Sequence, residues 1–160
     1  MDRDAFTFAL GSVVEHSPWV AERAWELRPF HSLERLQLAF ESTIRTAPRD
    51  RRLQVLHAHP ELGGRTAGEG ELTESSASEQ RAAKLDRLST DELAALRELN
   101  LGYRSRFGFP FISCVREHSV ASLLAWGVAR LERALEDEET TALAEVGKIV
   151  GLRLRECVSA

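Results

Sequence analysis

The sequence predicts an all-α fold: a single-domain bundle of about seven to eight helices spanning residues 1–160, with one long polar loop at 63–75. Three observations carry that reading. Apolar residues recur at steps of three and four over most of the chain, Ser starts and Pro or Gly stops bracket those runs, and no pair of alternating segments offers itself as a sheet. At 160 residues, 43% of them hydrophobic, the chain is long and apolar enough to build one core.

Each element has its own justification. Ser17-Pro18 places a cap residue before a proline at the first helical position and opens a short helix toward Leu27, closed by Pro29. A second helix starts after Ser32, carries Leu33, Leu36, Phe40 and Ile44 on one face, and stops before Pro48. Arg49 to Ala58 reads as helix burying Leu53 and Leu56, and it ends near His59 because Pro60 disfavours α geometry in the residue before it. Gly63 to Ser78 is rich in Gly, Thr, Ser and Glu, the composition of a loop. Loops longer than about 12–15 residues in a compact domain are usually functional or disordered.

A helix follows from about Ser76 to Leu88. Ser89 with Glu92 forms a capping box for the next, whose core face is Leu93, Leu96, Leu99 or Asn100, Tyr103 and Phe107, with Gly108 past its end. Phe109 to Val115 is apolar without helical period and reads as an extended buried segment. Ser119 caps a helix through Val120, Leu124, Val128, Leu131 and Leu135. After an acidic link, Glu136 to Glu139, a last helix carries Leu143, Val146, Val150, Leu154 and Cys157.

Composition narrows the function. A net charge of −4, without a dense Arg/Lys face, argues against nucleic acid as a partner. No run approaches the ~18 apolar residues of a membrane span, so no membrane partner is expected. Met1-Asp2-Arg3-Asp4 lacks the head of a secretory signal and Val158-Ser159-Ala160 is not a peroxisomal tripeptide. Two cysteines are too few for a disulfide framework, which makes a cytoplasmic location the expectation.

Three places could carry chemistry. His57-Ala58-His59 invites a metal reading, but further ligands are wanting, and the only sulfur donors, Cys114 and Cys157, fall on apolar faces; no metal is expected. A histidine at a helix end, near the C-terminal dipole, is the plainer reading of His59. Its setting raises it: before a proline, at the mouth of a Gly-rich loop. Ser76, Glu79 and Gln80 are spaced i, i+3, i+4 and share one face if the helix has already begun; otherwise Ser-x-x-Glu is a capping box. Arg153 borders the apolar arc of the last helix and needs an anionic partner, either a protein carboxylate or a ligand.

Together these signals resemble a known pattern. His-Pro-Glu-Leu-Gly at 59–63, Ser-x-x-Glu-Gln at 76–80, Phe-Gly-Phe-Pro-Phe-Ile at 107–112 and Arg-Leu at 153–154 are similar to the 2-oxo-4-hydroxy-4-carboxy-5-ureidoimidazoline (OHCU) decarboxylase family of uric acid degradation. The family usually reads His-Pro-Asp-Leu, so Glu61 is a conservative departure. The resemblance runs from about residue 5 to 157, and its motifs match in order and separation. It implies an all-α homodimer, His59 and Glu79 as catalytic residues, and Pro60, Ser76, Gln80, Phe111, Ile112 and Arg153 as substrate contacts. Some relatives are fused to the preceding hydrolase domain, for which this chain has no room.

The implied reaction turns OHCU into (S)-allantoin without a cofactor. The departing carboxylate sits beside a ring C=N that can take its electrons, so no pyridoxal, thiamine or metal is needed as a sink. An Arg suits bidentate recognition of a carboxylate or ureido group. A His can take the hydroxyl proton, and a carboxylate beside it can fix its tautomer. Two rival readings stand beside this one: a non-catalytic helical binding or interaction module, and a decarboxylase of a related carboxylated heterocycle.

Overall fold

The computed structural model describes residues 1–63 and 72–159. Among them are eight α-helices and no strand: α1 (Arg3–Leu10), α2 (Trp19–Ala24), α3 (Leu33–Thr46), α4 (Arg49–Ala58), α5 (Glu74–Ala82), α6 (Thr90–Phe107), α7 (Val120–Leu131) and α8 (Leu135–Ser159). Short 3₁₀ turns lie at Trp25–Leu27 and Val115–Glu117. The chain forms two compact units, Met1–Ala58 with Leu143–Ala160, and His59–Ala142.

In the first unit, Asp2 caps α1 by accepting the Ala5 amide at 2.8 Å, and Ser32 caps α3 by accepting that of Arg35 at 3.2 Å. Phe6, Val20, Ala24, Phe40, Ile44 and Leu154 are among its buried apolar residues. Small residues on α8 let α3 approach: a Cβ on Gly151 would lie 2.6 Å from the Gln37 amide. Three expectations need correction here. Ser17 does not cap α2; its hydroxyl donates to the Glu15 carbonyl at 2.9 Å, and Pro18 occupies the cap position. On α4, Val55 rather than Leu53 is buried beside Leu56. Cys157 is exposed, beyond the buried part of α8.

The second unit holds α5, α6, α7 and the start of α8. Here α6 begins with the expected capping box of Ser89 and Glu92 and ends at Gly108, whose φ of +82° favours glycine. Phe109 to Val115 runs extended and buried, as expected, before its short 3₁₀ turn. Tyr103 gathers the aromatic core, with ring centroids 4.7 Å from Phe107 and 5.4 Å from Phe111.

Three elements depart from the sequence reading. The acidic stretch Glu136–Glu139 is no link but the first turn of α8, where negative charge favours a helix N-terminus. On α7 the buried positions are Leu123, Gly127 and Arg130, while Val128 of the expected face is exposed. A Cβ on Gly127 would lie 2.3 Å from Leu99 Cδ2, so glycine lets α7 close on α6. Arg130 enters the core because its charge is met there: it donates through Nε to Glu138 at 2.6 Å and through Nη1 to the Ile112 carbonyl at 2.6 Å. The third departure is α5, which starts at Glu74 and ends at Ala82 instead of running from 76 to 88. Of the polar loop expected at 63–75, residues 64–71 lie outside the described residues, and 74 and 75 belong to α5.

Candidate active site

The local folding of α5 decides what its polar residues can do. Thr73 is the N-cap, its hydroxyl accepting the Ser76 amide at 3.3 Å. Ser76 is therefore already the third helical residue, and the Ser76–Glu79 capping box does not form. The helix has begun before the polar triplet, so Ser76, Glu79 and Gln80 share one face, and all three are buried. Buried hydroxyl, carboxylate and amide on one helix face are unusual in a structural core, because each must be matched by a polar partner.

His59 opens the same unit. Its neighbour His57 is exposed, whereas His59 is only 7% exposed and Pro60 is half-buried. The turn that follows is tied to α5: the Gly63 amide donates to Gln80 Oε1 at 3.0 Å. Gly63 has φ +67°, and a Cβ there would lie 2.5 Å from Leu96 Cδ2, so both conformation and space require glycine. Glu61 meets Arg104 at 3.3 Å.

The hydrogen bond from Gly63 fixes the orientation of the Gln80 amide. With Oε1 accepting, Nε2 is the outward donor, and it is buried without a hydrogen-bond partner among the described residues. Phe111 and Ile112 are buried in this unit, the Ile112 carbonyl held by Arg130. His59, Pro60, Ser76, Glu79, Gln80, Phe111 and Ile112 thus all belong to the second unit.

Arg153 belongs to the first unit, on α8, and is 3% exposed. Its guanidinium donates to Glu15 at 2.9 Å and to the Val13 carbonyl at 3.1 Å. A protein carboxylate is therefore one anionic partner of this arginine. Glu15 escaped the sequence reading. The available signal was an acid directly after two apolar residues, Val13 and Val14, all three buried. Asn100, read only as an alternative to Leu99 on the core face of α6, is buried there together with Leu99. Among the described residues no group of three His, Cys, Asp or Glu side chains could hold a metal ion.

Comparison with known proteins gives this arrangement its context. The family model for OHCU decarboxylase matches residues 1–155. The chain belongs to the OHCU decarboxylase family. An OHCU decarboxylase of Haloferax volcanii is 43% identical over 156 residues, covering 98% of this chain and 90% of that one. Among solved structures, (S)-allantoin synthase aligns with a TM-score of 0.78 at 27% identity, covering 98% of this chain and 51% of that chain. An OHCU decarboxylase crystallised in the presence of (S)-allantoin shares the fold, with a TM-score of 0.75 at 24% identity over 98% of this chain. OHCU decarboxylases are carboxy-lyases, and the all-α architecture expected from the sequence is theirs.

Proposed function

We propose that this chain decarboxylates OHCU to (S)-allantoin in uric acid degradation, as a single functional domain of residues 1–160. The observation that carries the reading is near-full-length membership of the family, with a relative of that name at 43% identity. The buried polar face of α5, joined by Gln80 to the turn after His59, supports it.

In the proposed reaction the bond between the ring carbon and its carboxylate breaks and CO₂ leaves. The electron pair forms a C=C bond to the carbon bearing the ureido group, and the C=N pair moves onto the ring nitrogen, which takes a proton. His59 then takes the proton of the hydroxyl on the first carbon, that carbon becomes a carbonyl, and the C=C pair takes a proton on one face of the carbon bearing the ureido group. Glu79 orients the His59 imidazole and supports its positive charge. Ser76 and Gln80 hold the ring and ureido groups, Gln80 through its Nε2 donor. The family resemblance assigns Arg153 to the anionic substrate; in the second unit Pro60 adds a wall and the backbone at Phe111 and Ile112 lines the pocket, where exclusion of water strengthens each contact. The substrate's own imine is the electron sink, so the reaction calls for no cofactor. A homodimer and a cytoplasmic location belong to the same proposal. The family resemblance supports the first and the sparse cysteines support the second.

The test generates OHCU in situ and follows circular dichroism. The purified protein is expected to speed the appearance of the (S)-allantoin signal; a rate equal to buffer alone defeats the assignment. His59→Ala is expected to keep its helical signal and lose about 10²–10⁴-fold in turnover, the usual worth of a positioned acid–base group. A near-normal rate would remove His59 from the chemistry.

A further inference from the structure

The peptide group joining Leu62 to Gly63 is held at both ends by side-chain amides. Its carbonyl accepts from Asn100 Nδ2 at 2.9 Å, and its N–H donates to Gln80 Oε1 at 3.0 Å. Asn100 lies on α6 and Gln80 on α5, so two helices grip one peptide plane three residues beyond His59. A peptide held at both its donor and its acceptor cannot rotate without losing one bond or the other.

Asn100 is not alone on its helix. Leu96, Asn100 and Arg104 follow one another at i, i+4 and i+8, a single stripe of α6. Leu96 presses on Gly63, Asn100 binds the Leu62 carbonyl, and Arg104 pairs with Glu61 at 3.3 Å. Three successive turns of one helix thus address three successive residues of the His59 turn.

Asparagine is a costly choice for this place. It is 4% exposed, and its Oδ1 is buried without a hydrogen-bond partner among the described residues. An unmet buried acceptor costs about 1–3 kcal/mol, and leucine would pack the position and favour the helix more. What asparagine supplies and leucine does not is the donor to Leu62.

We infer that Asn100 is a positioning residue for His59: acting through the Leu62–Gly63 peptide, it fixes the turn that aims the imidazole. The inference rests on the proposed role of His59. Misplacing a reacting group by about 1 Å can lower a rate by roughly 10²-fold.

The test compares Asn100→Leu with Leu99→Val, a neighbour on α6 that is equally buried but binds no peptide. Asn100→Leu is expected to lose at least tenfold in kcat with KM changed less than threefold, and to add no further loss when combined with His59→Ala. Leu99→Val is expected to keep kcat. Where Asn100→Leu fails to fold, Asn100→Asp, which keeps the shape and replaces the donor, is read the same way. A kcat within threefold of wild type, or a loss that multiplies fully with that of His59→Ala, overturns the inference. Should the wild-type chain turn over no OHCU, the substrate assignment fails by itself. The positioning claim is then decided by histidine NMR. His59 resonances that shift in the Asn100 variant and not in Leu99→Val uphold it; resonances unmoved in both overturn it.

Discussion

A single arginine shows how far one side chain can reorganise its surroundings. Arg130 is fully buried, pairs with the equally buried Glu138, donates to the Tyr103 hydroxyl at 3.3 Å, and stacks 4.8 Å from the centroid of Phe111. Breaking such a pair from one side leaves an uncompensated charge in the core. Arg130→Met is therefore expected to lower stability by about 3–5 kcal/mol in urea denaturation, and Arg130→Met with Glu138→Leu to recover most of the loss. A single variant as stable as wild type would show that Glu138 does not depend on this partner. The sequence concealed the pair because an arginine among apolar neighbours carries no sign of a carboxylate eight positions later. Arg153 was easier to flag, since it borders a strong apolar stripe on a long helix, but its partner Glu15 lies far away in the chain. At His59, Ser76, Glu79, Gln80 and Arg153 the sequence offered residue types suited to the proposed chemistry, each with a plainer structural reading beside it. The residues that hold others in place, Asn100 above all, were not legible, because their partners are backbone atoms of distant segments.

At the scale of the element, the start of α5 separates a structural role from a chemical one. Thr73 and Ser76 both stand where a cap could stand, and local pattern alone does not choose between them. The structure places the cap at Thr73, whose hydroxyl accepts the Ser76 amide. Thr73→Ala is expected to cost about 1 kcal/mol of stability, read from thermal or urea unfolding, because it removes the side-chain acceptor of the Ser76 amide. A Thr73→Ala variant as stable as wild type would show that this bond does not hold the helix end. Helices with one dominant signal were legible at their starts, α3 behind Ser32 and α6 behind its capping box, and α6 also at its end before Gly108. Where the buried face of an element includes glycine and a paired charge, as on α7, hydrophobic periodicity points to the wrong side.

For the molecule as a whole, the helical class followed from periodicity, while the division into two units did not, since it depends on contacts remote in sequence. One feature of the second unit reaches the stability of the whole chain. Tyr103 is the single tyrosine in the sequence, wholly buried and bonded to Glu138. Burial, reinforced by that acid, pushes its phenol above the ordinary value of 10. In the unfolded chain the phenol gives up its proton near that ordinary value while the folded chain retains it, so alkali drains stability as pH rises through and beyond 10. Phenolate absorbance in the ultraviolet then has one source. It is expected to appear together with loss of the helical signal and not before; a phenolate that forms while the helices persist would mean that the ring is open to solvent. The protein thus carries its own optical reporter of the core that holds the Ile112 carbonyl.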